Sequence, residues 1–276
     1  MLNHCIGIKS MSDKEYQNIQ FEINDGLATL TLNRPDRLNS FNTDMHAEVK
    51  EAFRQIKKDS SVRCMIITGN GRGFCAGQDL SDRSVAASDE VPDLAESVEK
   101  NYNPLIRTIT SLEMPVLCAV NGVAAGAGAN IALACDIVFA GRSASFIQSF
   151  NKLGLVPDSG GTWSLPRLVG QSRALSLCLL GEKVKAEDAQ AMGMIYKVLD
   201  DDVLLSEVTT IGKQLAKAPT KGLALIKRAI RASSNNTLDQ QLDLERDLQG
   251  VAGRTDDYRE GVAAFMNKRE PNYQGK

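Results

Sequence analysis

The chain has 276 residues, 43% of them hydrophobic and 24% charged, with a net charge of −2. This is the balance of a globular protein of one large or two smaller domains, and it excludes the strong basic field that would draw in nucleic acid or an anionic membrane, though not a local basic patch for a phosphorylated ligand. Six scattered cysteines (Cys5, Cys64, Cys75, Cys118, Cys135, Cys178), two histidines (His4, His46) and no CxxC pair exclude a disulfide framework and point away from any metal site; they fit free thiols in a reducing, cytoplasmic compartment.

Met1 to Ser10 has no apolar run of the kind a signal peptide needs, so residues 1–16 read as a flexible leader, with Met11 an alternative start. Phe21 to Ile23 and Leu27 to Leu32 read as strands joined by Asn24-Asp25-Gly26, a strong hairpin signal. Thr43 to Lys57 carries Met45, Val49, Phe53 and Ile56 at helical spacing, with Thr43 as the expected cap. On its other face Glu48 and Glu51 alternate with Lys50, Arg54 and Lys57, which is the pattern of a solvated helix surface rather than a basic comb. Val62 to Thr68 is a short buried strand ended by Gly69-Asn70-Gly71. From Leu80 to about Asn101 the composition turns polar and acidic, predicting a mobile loop and then a helix to about Leu112.

Pro115 opens a second buried strand, Val116 to Val120. The apolar stretch continues to Gly141, but glycines and Asn121, Asn130 and Asp136 break it, so it predicts strand, turn, helix and strand rather than a membrane span. The recurrence of this pattern through Ile137 to Ala140 predicts an α/β fold of stacked ββα units over residues 17–203. After Val198 strand signals fade. Residues 204–216, 221–233, 237–252 and 258–268 all read as helices, so 204–276 is predicted to be a helical region whose apolar faces pack at a subunit interface.

Three segments can carry chemistry. Arg72-Gly73-Phe74-Cys75-Ala76-Gly77-Gln78-Asp79-Leu80 leaves a buried strand with small residues that let backbone approach a ligand closely, although a plain glycine turn has the same look. Asn121 to Asn130 (NGVAAGAGAN) runs from a strand end into a helix. The first N–H groups of that helix have no intrahelical partner and sit at its positive end, ready for an anion or a developing oxyanion. Close helix–strand packing is the competing explanation. No Lys-Ser/Thr pair follows the glycines, so this is not a phosphate-binding P-loop. In Leu153 to Trp163 (LGLVPDSGGTW), Asp158 stands before glycines at a helix start, where it could be a catalytic carboxylate or an N-cap.

Taken together, Asn33-Arg34-Pro35, FCAGQDL, NGVAAGAG and LGLVPDSGGT resemble the crotonase superfamily, the enoyl-CoA hydratases and isomerases, in order and spacing over nearly the whole chain from Phe21. GRGFCAGQDL, VNGVAAGAGA, KLGLVPDSGGTW and LDLERDLQGVAGRTDDYREGVAAF look most like its ring-1,2-epoxyphenylacetyl-CoA isomerase branch, which serves phenylacetate catabolism. The resemblance implies a spiral of ββα turns with a helical C-terminal region that forms homotrimers, often paired into hexamers. It also implies two backbone N–H groups, at Gln78 and Ala127, that hold a thioester oxygen. Ala76, Gly77, Gln78, Asp79 and Leu80 would line the CoA path, Gly126, Ala127 and Phe150 the reacting end, and Arg34, Arg37 or Lys227 the phosphates. CoA is then part of the substrate, and no separate cofactor is implied.

Two departures narrow the reaction. The hydratases resemble one another in two glutamates that activate water, and here those positions align with Asn130 and Phe150. Neither is a base, and general acid–base assistance typically contributes ~10²–10⁴-fold. Asp158 remains, and one carboxylate suffices to move a proton between carbons while apolar neighbours such as Phe150 keep water out. The expectation is an acyl-CoA isomerase that converts 2-(1,2-epoxy-1,2-dihydrophenyl)acetyl-CoA to its oxepin and shifts 3-enoyl-CoA to 2-enoyl-CoA. The alternatives are an enoyl-CoA hydratase of fatty-acid β-oxidation and a non-catalytic, RNA-binding protein of the same fold. Cys75 is expected to be a packed thiol, and Trp163 to fill the core.

Overall fold

The computed structural model describes residues 16–83 and 93–276, so the leader and most of the polar loop after Leu80 lie outside the described residues. The first strands, β1 (Ile19–Asn24) and β2 (Leu27–Leu32), form the expected antiparallel hairpin. Its two central residues, Asp25 and Gly26, have φ of 51° and 78°, the left-handed pair that an Asn-Asp-Gly turn supplies. Helix α1 (Thr43–Lys58) follows, but its cap is Asn42, whose side chain accepts from the Met45 N–H, and not Thr43. Either residue type can cap; Asn42 has the extended backbone the cap position requires.

From here the chain alternates between two sheets. Strands β3 (Cys64–Gly69), β5 (Val116–Val120), β7 (Ile137–Gly141) and β10 (Lys197–Leu199) join the hairpin in a six-stranded sheet of order β1-β2-β3-β5-β7-β10, parallel beyond the hairpin. Strands β4 (Gly73–Cys75), β6 (Val123–Ala125), β8 (Ser145–Ile147) and β9 (Lys183–Lys185) make a second sheet in that order, with only β9 antiparallel. The pairs β3–β4, β5–β6 and β7–β8 each place one strand in the first sheet and the next in the second, so successive turns stack into the spiral of a crotonase fold. The central strands β3 and β5 are covered on both faces, which is why β5 reads as the unbroken apolar run VLCAV.

Helices α2 (Leu94–Ser97) and α3 (Asn103–Ser111) are joined by a π turn at Val98–Tyr102. The central helix α4 (Ala127–Ala134) is buried at every residue. After it come α5 (Gly161–Val169), α6 (Gln171–Leu180) and α7 (Ala186–Ala191), and then the C-terminal set α8 (Leu204–Ala216), α9 (Thr220–Ser233), α10 (Leu238–Ala252) and α11 (Asp256–Met266). Helix α8 is part of the sheet's cover rather than an appendage. Leu204, Val208 and Ala216 form a separate apolar cluster with Leu27, Cys64, Ile66, Leu117 and Phe139 on the outer face of the first sheet. The intervening residues Met65 and Ile67 point the other way, into the main core, as strand alternation requires.

Candidate active site

Strand β4 hands the chain to Ala76–Asp79, and Phe41 pins that segment down. The Phe41 N–H donates to the Gly77 carbonyl at 2.7 Å, and the Asp79 N–H donates to the Phe41 carbonyl at 2.8 Å. In such a parallel bridge both bonds go to the residues flanking Gln78, so the N–H of Gln78 itself is turned away from Phe41. Gly77 has φ of 92°, and a Cβ there would come within 2.9 Å of the Ala125 carbonyl and 3.4 Å of the Ala127 nitrogen. The Gly77–Gln78 backbone therefore lies directly against the start of α4, where Ala127 is the first residue and its N–H has no intrahelical acceptor.

That closeness is achieved by omitting side chains. A Cβ on Gly128 would overlap the Cys75 carbonyl, and Gly126, at φ 53°, faces the ring of Phe150 and the hydroxyl of Ser149. The Gly126 N–H is anchored on the Ile147 carbonyl at 2.9 Å. Phe150, in a 3₁₀ turn at Ser149–Leu153, is 8% exposed, with its ring against Gly126 at the helix start.

One turn along α4, Asn130 is buried and its Nδ2 donates to the backbone carbonyl of Asp158 at 2.8 Å. This contact ties the Asp158 turn to the same short helix that begins at Ala127, about one helical pitch (~5 Å) away. Ser159 donates its hydroxyl to Asp158 Oδ1 at 2.9 Å. The backbone at Gln78 and the ring of Phe150 thus lie against the start of α4, and the backbone of the Asp158 turn is tied to its first turn through Asn130.

The chain is similar to known proteins over most of its length. The enoyl-CoA hydratase/isomerase family model matches residues 22–276. The chain is 56% identical to 1,2-epoxyphenylacetyl-CoA isomerase of Escherichia coli K12 across 92% of this chain and 97% of that one. A Rhodobacter capsulatus relative bearing an enoyl-CoA hydratase name is 43% identical, over 95% of this chain and 99% of its own. Among solved structures, an enoyl-CoA hydratase from Polaromonas sp. JS666 superimposes with a TM-score of 0.85 at 36% identity, covering 93% of this chain and 99% of that one. The chain belongs to the enoyl-CoA hydratase/isomerase family.

Other members of the expected set fall differently within this family framework. Arg34 is already committed, donating to Asp79 Oδ2 at 2.9 Å and to the Ser40 carbonyl at 2.6 Å. With Ser81 first and Arg34 second as hydrogen-bond donors, the Asp79 carboxyl is held below its ordinary range against the opposing effect of burial. The pair braces the entry segment; Leu80 beyond it is exposed, as is Arg37. Lys227 is not brought to this site. It lies at the opposite end of α4, 10% exposed, with Nζ 2.7 Å from Asp136 and donating to the carbonyls of Ile109 and Met114. Burial lowers its pKa while Asp136 opposes the change.

Trp163 is not a core residue: it is 41% exposed, and the Arg167 guanidinium sits 4.2 Å over its ring. Both border a groove of about 630 Å³ that also takes in Leu168, Ile226 and Ile230. Cys75 is fully buried, and its thiol is pushed up to about 12 by desolvation, which removes it as a nucleophile. Among the described residues no group of three metal-ligating side chains occurs, and no helix is long and apolar enough to cross a membrane.

Three residues at the site escaped the sequence reading. Tyr102, fully buried with its ring edge-on to His46, donates its hydroxyl to Gln78 Oε1 at 2.8 Å. Gln148 donates to Asn130, and Ser159 to Asp158. Only Ser159, beside Asp158, had a local signal; the others meet their partners from distant segments.

Proposed function

We propose that this chain is an acyl-CoA isomerase that converts 2-(1,2-epoxy-1,2-dihydrophenyl)acetyl-CoA to oxepin-CoA in phenylacetate catabolism and also shifts 3-enoyl-CoA to 2-enoyl-CoA. The observation that supports the reading is the surroundings of the α4 start: an amide at Asn130 and a ring at Phe150, with the backbone of the Asp158 turn bonded to that amide. The identity shared with the E. coli epoxyphenylacetyl-CoA isomerase supports the same substrate.

In this mechanism the N–H groups of Gln78 and Ala127 hold the thioester oxygen and stabilise the charge that develops there. Asp158 removes a proton from the carbon next to the thioester carbonyl to give the enolate. With a 3-enoyl chain it returns that proton at C4, the double bond moves to the 2,3 position, and nothing is gained or lost overall. With the ring epoxide the same carbon acid is activated while ring expansion keeps the molecular formula. Phe150 excludes water that would divert either path into hydration. Ala76 to Leu80 and Gly126 line the thioester arm, and Arg34 contributes through Asp79 rather than by a phosphate contact of its own.

The exposed apolar side chains of the C-terminal helices, such as Phe265 at 83% and Ile230 at 67%, support a homotrimer or hexamer. Sedimentation velocity tests the assembly. The reaction is tested by turnover of three thioesters: epoxyphenylacetyl-CoA, a 3-enoyl-CoA and crotonyl-CoA. Isomerisation of the first two with crotonyl-CoA left unhydrated is the expected pattern. Rapid hydration of crotonyl-CoA would move the assignment to the hydratases.

A further inference from the structure

We infer that Asn130 and Gln148 form a two-amide brace that positions Asp158, an inference that rests on the assignment of Asp158 as the base. Four observations converge on the turn that carries it. The Asp158 carbonyl accepts twice, from the Gly161 N–H at 2.9 Å and from Asn130 Nδ2 at 2.8 Å. Between them, Ser159 and Gly160 have φ of 52° and 74°, and a non-glycine residue at positive φ persists only where its surroundings over-determine it. Ser159 is buried, and its hydroxyl fixes the carboxylate that the turn presents.

The direction of the brace is set from the Asp158 end. A carbonyl only accepts, so Asn130 must turn its NH₂ toward Asp158 and its Oδ1 away. Gln148 Nε2 meets that Oδ1 at 2.8 Å in a buried hydrogen bond. Gln148 Oε1 is thereby left buried without a hydrogen-bond partner. Turning the Gln148 amide over would set its oxygen against Asn130 Oδ1 and forfeit the bond, so the unpaired acceptor is the lesser loss. Space is reserved as well, because a Cβ on Gly161 would overlap the Asn130 amide.

Asn130 therefore does more than replace a water-activating carboxylate. A carboxylate at this place could not donate to the Asp158 carbonyl while ionised. The amide fixes the base to α4, the same rigid element whose first N–H is the proposed oxyanion donor, so one helix sets the separation of both groups. Misplacement of reacting groups by about 1 Å can cost ~10²-fold in rate, which is the scale on which such a brace acts.

The test compares Asn130→Leu, Asn130→Ala, Gln148→Leu, Gly161→Ala and the double variant Asn130→Ala with Gly161→Ala, alongside Asp158→Asn, all assayed for isomerisation of a 3-enoyl-CoA and for thermal stability. Asn130→Leu and Gly161→Ala should each lower kcat about 30-fold with KM within about threefold, as expected for misplacement of a base rather than loss of binding. The double variant should be no slower than Asn130→Ala alone, since the Cβ then has room and the brace is already gone. Gln148→Leu is the sharper arm. It removes the unpaired Gln148 Oε1 but leaves Asn130 Oδ1 unpaired in its place, one buried acceptor exchanged for another, so kcat should fall about tenfold while Tm changes little. A Gln148→Leu enzyme with wild-type kcat, or one that loses Tm and kcat in proportion, would overturn the brace while leaving Asp158 as base if Asp158→Asn is inactive. An active Asp158→Asn would overturn the base assignment and the brace together.

Discussion

The two ends of helix α4 are held by opposite means. At its N-terminal end Gly77 against Ala125 and Ala127, and Gly128 against Cys75, bring backbone against backbone, and the contact depends on side chains being absent. At its C-terminal end the Ala134 carbonyl accepts from Arg231, which also pairs with Asp136 at 2.8 Å, while Lys227 pairs with the same carboxylate from the other side. The first end presents main-chain donors whose geometry no rotamer can change, which is what the proposed oxyanion role would use. The second joins helix α9 to the spiral through partly buried charges, where geometry is secondary and pairing is everything. Volume should therefore be the sensitive variable at one end, and charge at the other.

The largest effect is expected at the functional end. Asp158→Asn should lower isomerase turnover by ~10²–10⁴-fold, the usual contribution of general acid–base assistance, with thioester affinity and Tm close to wild type. A comparable loss in Asp136→Asn would abolish the contrast, since that carboxylate is assigned no chemistry. Asp136→Ala tests the other end. It leaves Lys227 buried beside two carbonyls with no counter-charge, and breaking a buried pair from one side costs ~3–5 kcal/mol. Adding Lys227→Met should restore part of that stability in a denaturant titration. If the single variant is as stable as wild type, charge is not what secures α9.

Smaller but more local is Gly128→Ala. One methyl group forces β4 and α4 apart at the Cys75 carbonyl, and overpacking of this kind costs ~1–3 kcal/mol. Because the displaced segment leads into Gln78, kcat should fall further than the stability change alone explains. Equal kcat with lowered Tm would mean that the spacing of the two backbone segments is not critical.

The same contrast explains what was legible in the sequence. The proposed catalytic end is written in local pattern: a glycine and alanine run after a strand, a Gly-Gln-Asp exit, and an Asp before Ser-Gly-Gly. These are read without knowing what lies across the core. The hairpin at Asn24-Asp25-Gly26 is equally local. Lys227 could not be placed in this way, because its partner Asp136 sits far away in the chain and only the fold makes them neighbours. Trp163 looked like core because bulk usually is, yet it faces a groove and stacks with Arg167 one helical turn on. The strands β9 and β10 are three residues each, too short for any periodicity to declare itself. Asn130 was legible as a missing carboxylate, whereas its bond to Asp158 depended on three segments meeting.

Beyond α9 the charge-held mode continues to the C-terminus, where the tail folds back on α11. Asp257 accepts from the N–H groups of Gln274 and Gly275 at 2.6 and 2.8 Å, and Glu260 accepts from the Asn272 N–H at 2.7 Å and from both terminal nitrogens of Arg269. Arg269 first, and then the Asn272 N–H, lower the Glu260 carboxyl from its usual 4.5 to about 2. A depressed carboxyl favours the folded tail at any pH above its free value, and that contribution is lost as pH falls from 4.5 toward 2. The group is solvent-exposed, so salt should weaken the contact and the effect should stay local. Amide exchange should therefore quicken in residues 270–276 between pH 5 and pH 3 once corrected for intrinsic rates, with β5 amides unaffected, and Glu260→Gln should show the fast pattern already at pH 5. If β5 amides quicken in step with the tail, acid is opening the spiral itself, and the division between a backbone-held centre and a charge-held periphery fails.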